Sequence, residues 1–294
     1  MLAGCTSPTP ASPPPTSAVD DRPVVLTTFT VLQDIAQNVA GEHLVVQSLT
    51  KIGSEIHGYE PTPGDVRRAQ NADLIVDNGL GLEAWFAAFT RDLDVPTVVA
   101  SEGVETVAIA GGEAAGRVNP HAWMSPRSAA IYVENIAAAF ADLDPAHADA
   151  YAANADAYTA ELERLDAELT AAVAAVPASQ RALVTCEGAF SYLARDAGLG
   201  EAYLWPVNAE QQATPRSTGD VIEYVRERGV PAVFCESTVS NEAMLRVTEE
   251  TDAAYGGTLY VDSLSEPDGP VPTYLDLIEH DIDVIVAGLT GETR

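Results

Sequence analysis

Short apolar runs alternate with longer amphipathic segments along most of the chain. The runs with the length and composition of β-strands lie at residues 24–30, 43–49, 73–78, 96–100, 182–186, 232–235 and 258–262. Helix-like segments lie between most of them. Regular alternation of strands and helices is typical of α/β proteins with parallel sheets.

Several of the helix-like segments begin with a hydroxyl residue followed by proline. A hydroxyl oxygen accepts a hydrogen bond from a free backbone N–H of the first turn, and proline has no N–H to leave unpaired there. These helix starts are Thr62-Pro63, Ser125-Pro126 and Thr214-Pro215, and Asp144-Pro145 repeats the pattern with a carboxylate.

One helical pattern, at residues 145–176, is much longer than the others. It contains no glycine and ends before Pro177. Thirty residues of helix span about 45 Å, which is long for one small domain. We therefore predict two α/β lobes, each with a central, mostly parallel sheet flanked by helices, at residues 23–142 and 178–294, joined by a backbone helix at 143–177. A long surface helix of a single domain is the alternative.

The first 22 residues differ in composition from the rest. Residues 6–22 are rich in Pro, Ser and Thr, which predicts a disordered tether. Just before them, Leu2-Ala3-Gly4-Cys5 is similar to the bacterial lipobox, in which the cysteine is lipidated. We therefore expect a lipid anchor at Cys5, and a signal peptide whose charged and apolar regions would precede this segment.

Composition and charge exclude two classes of partner. The chain has 294 residues and a formal net charge of −29, and its one lysine is Lys51. Nucleic-acid binding needs clustered basic residues, and so does adsorption to anionic lipid. The sequence holds no apolar run of the roughly 18 residues that a membrane-spanning helix needs. Contact with a membrane is therefore expected only through the lipid anchor.

Four side chains could bind a metal ion: His57, His121, Glu187 and Asp262. Glu187 and Asp262 stand at or just past the end of a predicted strand, and His57 lies in the loop after one. Open α/β sheets bind ligands at the carboxyl ends of their strands, and two lobes would face each other across a cleft. Two imidazoles and two carboxylates suit a divalent metal. The other histidines, at positions 43, 147 and 280, are interpreted as surface or capping residues.

Two further cysteines each end a strand-like run. If the strands ending at Cys186 and Cys235 are neighbours, a disulfide between them is feasible in an exported protein. Two free buried thiols are the alternative.

Short motifs surround the four candidate ligands and lie between them. They are His57-Gly-Tyr-Glu-Pro-Thr-Pro, Asn71-Ala-Asp-Leu-Ile, Asn78-Gly79, Glu83-Ala-Trp85, Pro120-His-Ala-Trp123, Glu187-Gly-Ala-Phe-Ser-Tyr192 and Asp262-Ser263. These motifs resemble those of the metal-binding receptors of bacterial ABC importers, the manganese/zinc/iron solute-binding lipoproteins of cluster A-I (cluster 9). The likeness runs in consistent order over about residues 22–290.

The resemblance implies a two-lobed fold with a long linking helix. It also implies that the four side chains hold one divalent metal ion as cargo, delivered to the membrane subunits of an ABC permease. The location is then extracytoplasmic, either periplasm or cell surface, and we expect a monomer.

The donor set bears on which metal is carried. It lacks sulfur, which disfavours copper(I), and carboxylate-rich sites suit Mn²⁺ better than Zn²⁺. In the family the third ligand is commonly His in zinc-type members and Glu in manganese-type ones, so Glu187 favours Mn²⁺. Zn²⁺ and Fe²⁺ are the alternatives.

Two other functions use the same residues. A metal-dependent hydrolase would need an open coordination position and a general base, for which Glu60 is the candidate. A surface adhesin would also use a tether. Because Glu60 fits the loop before the Thr62 helix start, we expect a binding protein and not an enzyme.

Overall fold

The computed structural model describes residues 21–54, 56–83, 85–91, 93–111, 114–207 and 213–291. It confirms the predicted α/β class, because parallel sheets flanked by helices form two lobes. The predicted lipidation site Cys5 and nearly all of the tether lie outside the described residues.

The first lobe is built on a four-stranded parallel sheet in the order β2-β1-β3-β4. Its strands are β1 (Val24–Thr27), β2 (Val45–Ser48), β3 (Leu74–Asp77) and β4 (Thr97–Val99). Its helices are α1 (Thr30–Ala40), α2 (Pro63–Gln70), α3 (Phe86–Thr90) and α4 (Pro126–Leu143). Because the four strands are parallel, they all end at the same edge of the sheet.

The second lobe contains two pairs of parallel strands lying side by side. Its strands are β5 (Ala182–Glu187), β6 (Gly200–Trp205), β7 (Ala232–Glu236) and β8 (Ala254–Leu259). β5 pairs with β6, β7 pairs with β8, and β5 lies beside β7. Its helices are α6 (Ser191–Ala197), α7 (Pro215–Arg228), α8 (Glu242–Glu250) and α9 (Tyr274–Thr290).

A long helix, α5 (Ala148–Ala175), connects the lobes after a 3₁₀ turn at Pro145–His147. Its 28 residues span about 42 Å. One apolar stripe is buried along it, since its buried residues recur every three or four positions: Tyr151, Ala155, Tyr158, Leu162, Leu165, Leu169 and Val173. The helix contacts α1 and α4 of the first lobe and α6 and α9 of the second. The exact domain boundaries stay a prediction.

Three of the four predicted helix starts are capped as expected. The side chains of Thr62, Ser125 and Thr214 each accept a hydrogen bond from the backbone N–H three residues later. Asp144 also stands at the N-cap position with Pro145 after it, but there it begins the short 3₁₀ turn that precedes α5. Its carboxylate accepts hydrogen bonds from His147 Nδ1 at 2.6 Å and the Tyr151 hydroxyl at 2.7 Å.

Two strands differ from the sequence prediction. β6 was not predicted, and β8 begins and ends earlier than the predicted run at 258–262. The earlier start of β8 requires glycine at position 256, because a Cβ atom there would collide with the ring of Phe234 in the neighbouring strand β7. Asp262 therefore lies in the loop just beyond β8 rather than within a strand.

Candidate metal centre

His57 lies on the loop between β2 and α2, and that loop is fastened by aromatic and polar contacts. The indole Nε1 of Trp85 donates to the carbonyl of Ile56 at 3.2 Å, directly before His57. The ring of Tyr59 packs on Trp85 with centroids 5.3 Å apart. The Tyr59 hydroxyl donates to Asp65 at 2.9 Å. The loop is thus attached both to the α3 region and to the start of α2.

His121 is completely buried in the loop that precedes a 3₁₀ turn (Ala122–Met124) and α4. Its backbone N–H donates to Asn119 Oδ1 at 3.1 Å, and its ring Nδ1 lies 2.9 Å from the same oxygen. Burial, with a smaller effect from nearby His57, holds the pKa of His121 well below its ordinary value. His121 is therefore a neutral imidazole near pH 7, the form that binds metals.

Neighbouring side chains hold the backbone on both sides of His121. Asn78 at the end of β3 donates to the carbonyl of Pro120 at 3.0 Å and accepts from the hydroxyl of Tyr132 at 2.6 Å. The indole of Trp123 donates to the carbonyl of Val261 at 3.2 Å. This last bond joins the His121 turn of the first lobe to the residue before Asp262 in the second.

Glu187 is the last residue of β5 and is buried. Its backbone N–H donates to the carboxylate of Glu236, at the end of β7, at 3.1 Å. Burial and the charge of Glu187 raise the pKa of Glu236 well above its ordinary value. The next residue must be small, because a Cβ atom on Gly188 would lie 2.6 Å from the carbonyl oxygen of Pro206.

Asp262 is also buried, in the loop after β8. The backbone of this loop is held at both ends. The N–H of Tyr260 donates to Asp281 of α9 at 2.9 Å, and the N–H of Leu264 donates to the Thr30 hydroxyl of the first lobe at 3.1 Å. Ser263 accepts from the N–H of Gly53 at 2.7 Å, so this loop also contacts the loop that carries His57.

The structure brings the donor atoms of His57, His121 and Glu187 within 4.8 Å of one another, and Asp262 approaches this group at His121. Nε2 of His57 lies 3.1 Å from Nε2 of His121 and 3.5 Å from Oε1 of Glu187. Nε2 of His121 lies 3.7 Å from the same Glu187 oxygen and 3.9 Å from Oδ1 of Asp262. Donor atoms bound tetrahedrally to one ion at about 2.1 Å are about 3.4 Å apart. These separations fit the donor shell of a single metal ion.

The burial and the charge of the four side chains also fit a metal-binding site. The side chain of His57 is 7% exposed, and those of His121, Glu187 and Asp262 are at most 1% exposed. Two carboxylates in so dry a site repel each other, and a bound divalent cation would offset both charges.

Cys186 and Cys235 lie directly before Glu187 and Glu236 on adjacent strands. The structure joins them in a disulfide, with their Cα atoms 4.9 Å apart. Of the remaining histidines, His43 and His147 stack on each other with ring centroids 3.9 Å apart, and His280 faces the carbonyl of Thr258. All three lie away from the centre.

The residues that orient the ligands were not identified from the sequence. Asn119 stands two positions before His121, where a short polar side chain commonly bonds the nearby backbone. Glu236 ends a strand-like run just as Glu187 does. Both signals are present in the sequence, but each is common at loop starts in any α/β protein.

The fold and this centre define a class: a two-lobed receptor that encloses one divalent metal ion between its lobes. Comparison with known proteins gives the same class. Residues 25–288 match the family described as ZnuA, the periplasmic component A of a zinc-uptake complex, and the chain belongs to this family. Its members are metal-binding substrate-binding proteins of ABC transporters and not enzymes, which confirms the expectation of a binding protein.

Individual relatives are similar over nearly the whole chain. YfeA of Yersinia pestis, named an iron-binding protein, is 53% identical over 265 residues, covering 90% of this chain and 85% of YfeA. PsaA of Streptococcus pneumoniae, named a manganese ABC transporter substrate-binding lipoprotein, is 33% identical over 277 residues, covering 92% and 89%. The manganese-bound periplasmic metal-binding protein of Candidatus Liberibacter asiaticus is 38% identical, with a TM-score of 0.86, covering 91% of this chain and 100% of that one.

Among the helices in the described part of the chain, none combines the length and the apolarity that a membrane crossing demands.

Proposed function

We propose that this protein captures Mn²⁺ outside the cytoplasm with His57, His121, Glu187 and Asp262 and delivers it to an ABC permease. The observation that carries the proposal is the convergence of donor atoms from the two lobes, with Nε2 of His121 within 3.9 Å of a donor atom from each of the other three residues. Each lobe supplies two ligands, so a bound ion holds the lobes together.

The donor types favour Mn²⁺ among the divalent metals. Two carboxylates and two imidazoles form a hard, oxygen-rich shell, and carboxylates can bind through both oxygens to raise the coordination number. PsaA, a relative with a manganese name, supports this choice. Fe²⁺ is the second candidate, favoured by the 53% identity to a protein named iron-binding. Zn²⁺ binds such donors tightly as well, so affinity in vitro does not identify the cargo.

Delivery would use the N-terminal segment. A lipidated Cys5 followed by the Pro/Ser/Thr-rich tether would keep a monomeric receptor at the outer face of the membrane, within reach of its permease. Labelling with a radioactive fatty acid, lost in Cys5→Ser, would test the anchor. Equal labelling of both proteins would contradict it.

The metal assignment is tested first by measuring the metal content of protein isolated from its native compartment without added metal. We expect about one manganese per chain. A content dominated by iron or zinc would reject the manganese assignment and keep the receptor.

The ligand assignment is tested with Asp262→Asn, which keeps the shape of the side chain and removes its charge. We expect Mn²⁺ affinity to fall by about 100-fold or more, or about 2.7 kcal/mol, because a charged donor is lost from a buried site. The matched control is Asp268→Asn, which removes the same charge from an exposed position nearby. Calorimetric titration showing equal affinity in both variants would reject Asp262 as a ligand.

A further inference from the structure

Asn119 makes polar contacts to ligand-bearing segments of both lobes. Its side chain is 1% exposed. On the first-lobe side its Oδ1 faces the backbone N–H and the ring Nδ1 of His121. On the second-lobe side its Nδ2 lies 2.6 Å from the carbonyl oxygen of Gly188, the residue after Glu187, and 3.1 Å from the hydroxyl of Ser191.

These contacts fix which way the amide of Asn119 points. A carbonyl oxygen can only accept, so the group facing Gly188 must be the amide nitrogen. The amide oxygen therefore faces His121, where the backbone N–H of His121 also needs an acceptor. The hydroxyl of Tyr192 holds the main chain at the same point by donating to the Asn119 carbonyl at 2.7 Å.

The orientation of Asn119 in turn fixes the proton on the ring of His121. An amide oxygen can only accept, so the ring nitrogen 2.9 Å away, Nδ1, carries the hydrogen. The lone pair of the neutral ring is then on Nε2. That atom faces His57, Glu187 and Asp262.

From this geometry we infer that Asn119 is a positioning residue: it selects the Nδ1–H tautomer of His121 and aligns that ring with the backbone beside Glu187. The tautomer is thus determined by a carbonyl group of the opposite lobe. Without an oxygen at this position either ring nitrogen can carry the proton, and a ring with its proton on Nε2 must move that proton before Nε2 can bind the ion. The consequence for affinity rests on the proposed function, whereas the tautomer does not.

Three variants of the full-length chain distinguish the contacts that Asn119 makes with the first lobe from those that it makes with the second. Asn119→Leu removes both sets of hydrogen bonds and keeps the number and branching of the side-chain heavy atoms. Asn119→Asp keeps an oxygen facing His121 and removes the N–H groups that face Gly188 and Ser191. Ser191→Ala removes one second-lobe partner and leaves the contact with His121 intact.

The first measurement is ¹⁵N NMR of histidine-labelled, metal-free protein at neutral pH, with the His121 signals identified by their loss in His121→Gln. We expect the Nδ1–H pattern in the wild type, Asn119→Asp and Ser191→Ala, and an Nε2–H or mixed pattern in Asn119→Leu. A merely structural role would not move this signature. A wild-type Nε2–H pattern overturns the inference, even if Asn119→Leu fails to fold.

The second measurement is Mn²⁺ affinity by competition with a chelator of known affinity. We expect a loss of about 10- to 100-fold in Asn119→Leu, the usual effect of removing a group that orients a metal-binding histidine, and less than about threefold in Ser191→Ala. Equal affinity in wild type and Asn119→Leu overturns the positioning role. If the NMR pattern appears as expected but the wild type itself binds no divalent metal, the proposed function fails and the tautomer assignment stands.

Discussion

The two lobes place their metal ligands in different ways. In the second lobe Glu187 is the last residue of β5, and Asp262 follows closely after Leu259, the end of β8. In the first lobe His57 and His121 lie on loops well beyond the strands that precede them in the chain. Backbone pairing within a sheet therefore positions Glu187 and brings the chain close to Asp262. Side-chain hydrogen bonds hold the loops of the two imidazoles and complete the placement of Asp262.

Because the two lobes place their ligands differently, we expect changes in one lobe to affect mainly the stability of the fold and changes in the other to affect mainly the affinity for the metal. Changes that loosen the strands of the second lobe should mainly lower the free energy of unfolding. Changes that release the loops of the first lobe should mainly weaken metal binding and leave the fold intact. Three predictions follow from this contrast, with the largest expected effect first.

The disulfide behind the carboxylates should have the largest effect on stability. Replacing Cys186 and Cys235 together by Ser should lower the free energy of unfolding by about 4 kcal/mol, because the bridge closes a loop between residues 49 apart in the chain. Urea unfolding of the metal-free protein measures this. Free thiols are titrated in the denatured proteins without reductant, and two more in the wild type than in the double variant would contradict the bridge and the prediction with it.

A buried acid of the first lobe should make stability depend on pH. Glu83 accepts hydrogen bonds from the hydroxyl of Thr28 at 2.6 Å and the N–H of Asn78 at 2.9 Å, yet burial raises its pKa from 4.5 to about 7. The folded state therefore keeps a proton that the unfolded state releases near pH 4.5. The associated stability is complete below that pH and is lost as pH rises to about 7.

Glu83→Gln should therefore be more stable than the wild type at pH 8 by up to about 3 kcal/mol and nearly equal to it at pH 4.5. Urea unfolding at both pH values measures the difference, with the exposed Glu102→Gln as the control. Unfolding curves of Glu83→Gln and wild type that differ equally at both pH values would show that the carboxyl group does not titrate in this range.

The smallest effect is expected from the anchor of the His57 loop. Trp85→Phe removes the hydrogen bond to the Ile56 carbonyl and keeps an aromatic ring against Tyr59. A hydrogen bond of about 1 kcal/mol corresponds to about a fivefold loss of Mn²⁺ affinity with little change in the free energy of unfolding. Trp205→Phe is the matched control, since the Trp205 indole N–H meets no acceptor among the described residues.

Calorimetric titration of the two tryptophan variants decides this prediction. Equal losses of affinity in Trp85→Phe and Trp205→Phe would show that the hydrogen bond from Trp85 to Ile56 makes no specific contribution to metal binding.

Much of the fold could be predicted because its signals are local. Thr62, Ser125 and Thr214 begin helices for reasons contained in the first turn, and the long apolar stripe of α5 is visible as spacing. β6 was missed because Glu201, Ala202 and Tyr203 give no continuous apolar run. The position of β8 depends on Gly256 fitting beside Phe234, a contact between strands that the sequence does not display.

The candidate site shows the same difference between local signals and contacts of residues far apart in the chain. The four ligands could be predicted because each belongs to a motif of the family, and Glu187 and Asp262 also stand at or near a strand end. The orientation of their donor atoms could not, because it depends on long-range contacts. Asn119 bonds to Gly188, and Trp123 bonds to Val261, across the two lobes.

One continuous apolar cluster runs from Val25 of the first lobe through Leu162 of α5 to Leu289 of α9. A gene fragment that encodes only one lobe and α5 would leave the face of α5 that packs on the other lobe open to water. Large exposed apolar faces promote aggregation. The lobes are therefore not interchangeable modules. A chimaera that joins the first lobe of one receptor to the second lobe of another must also match the buried stripe of the helix between them.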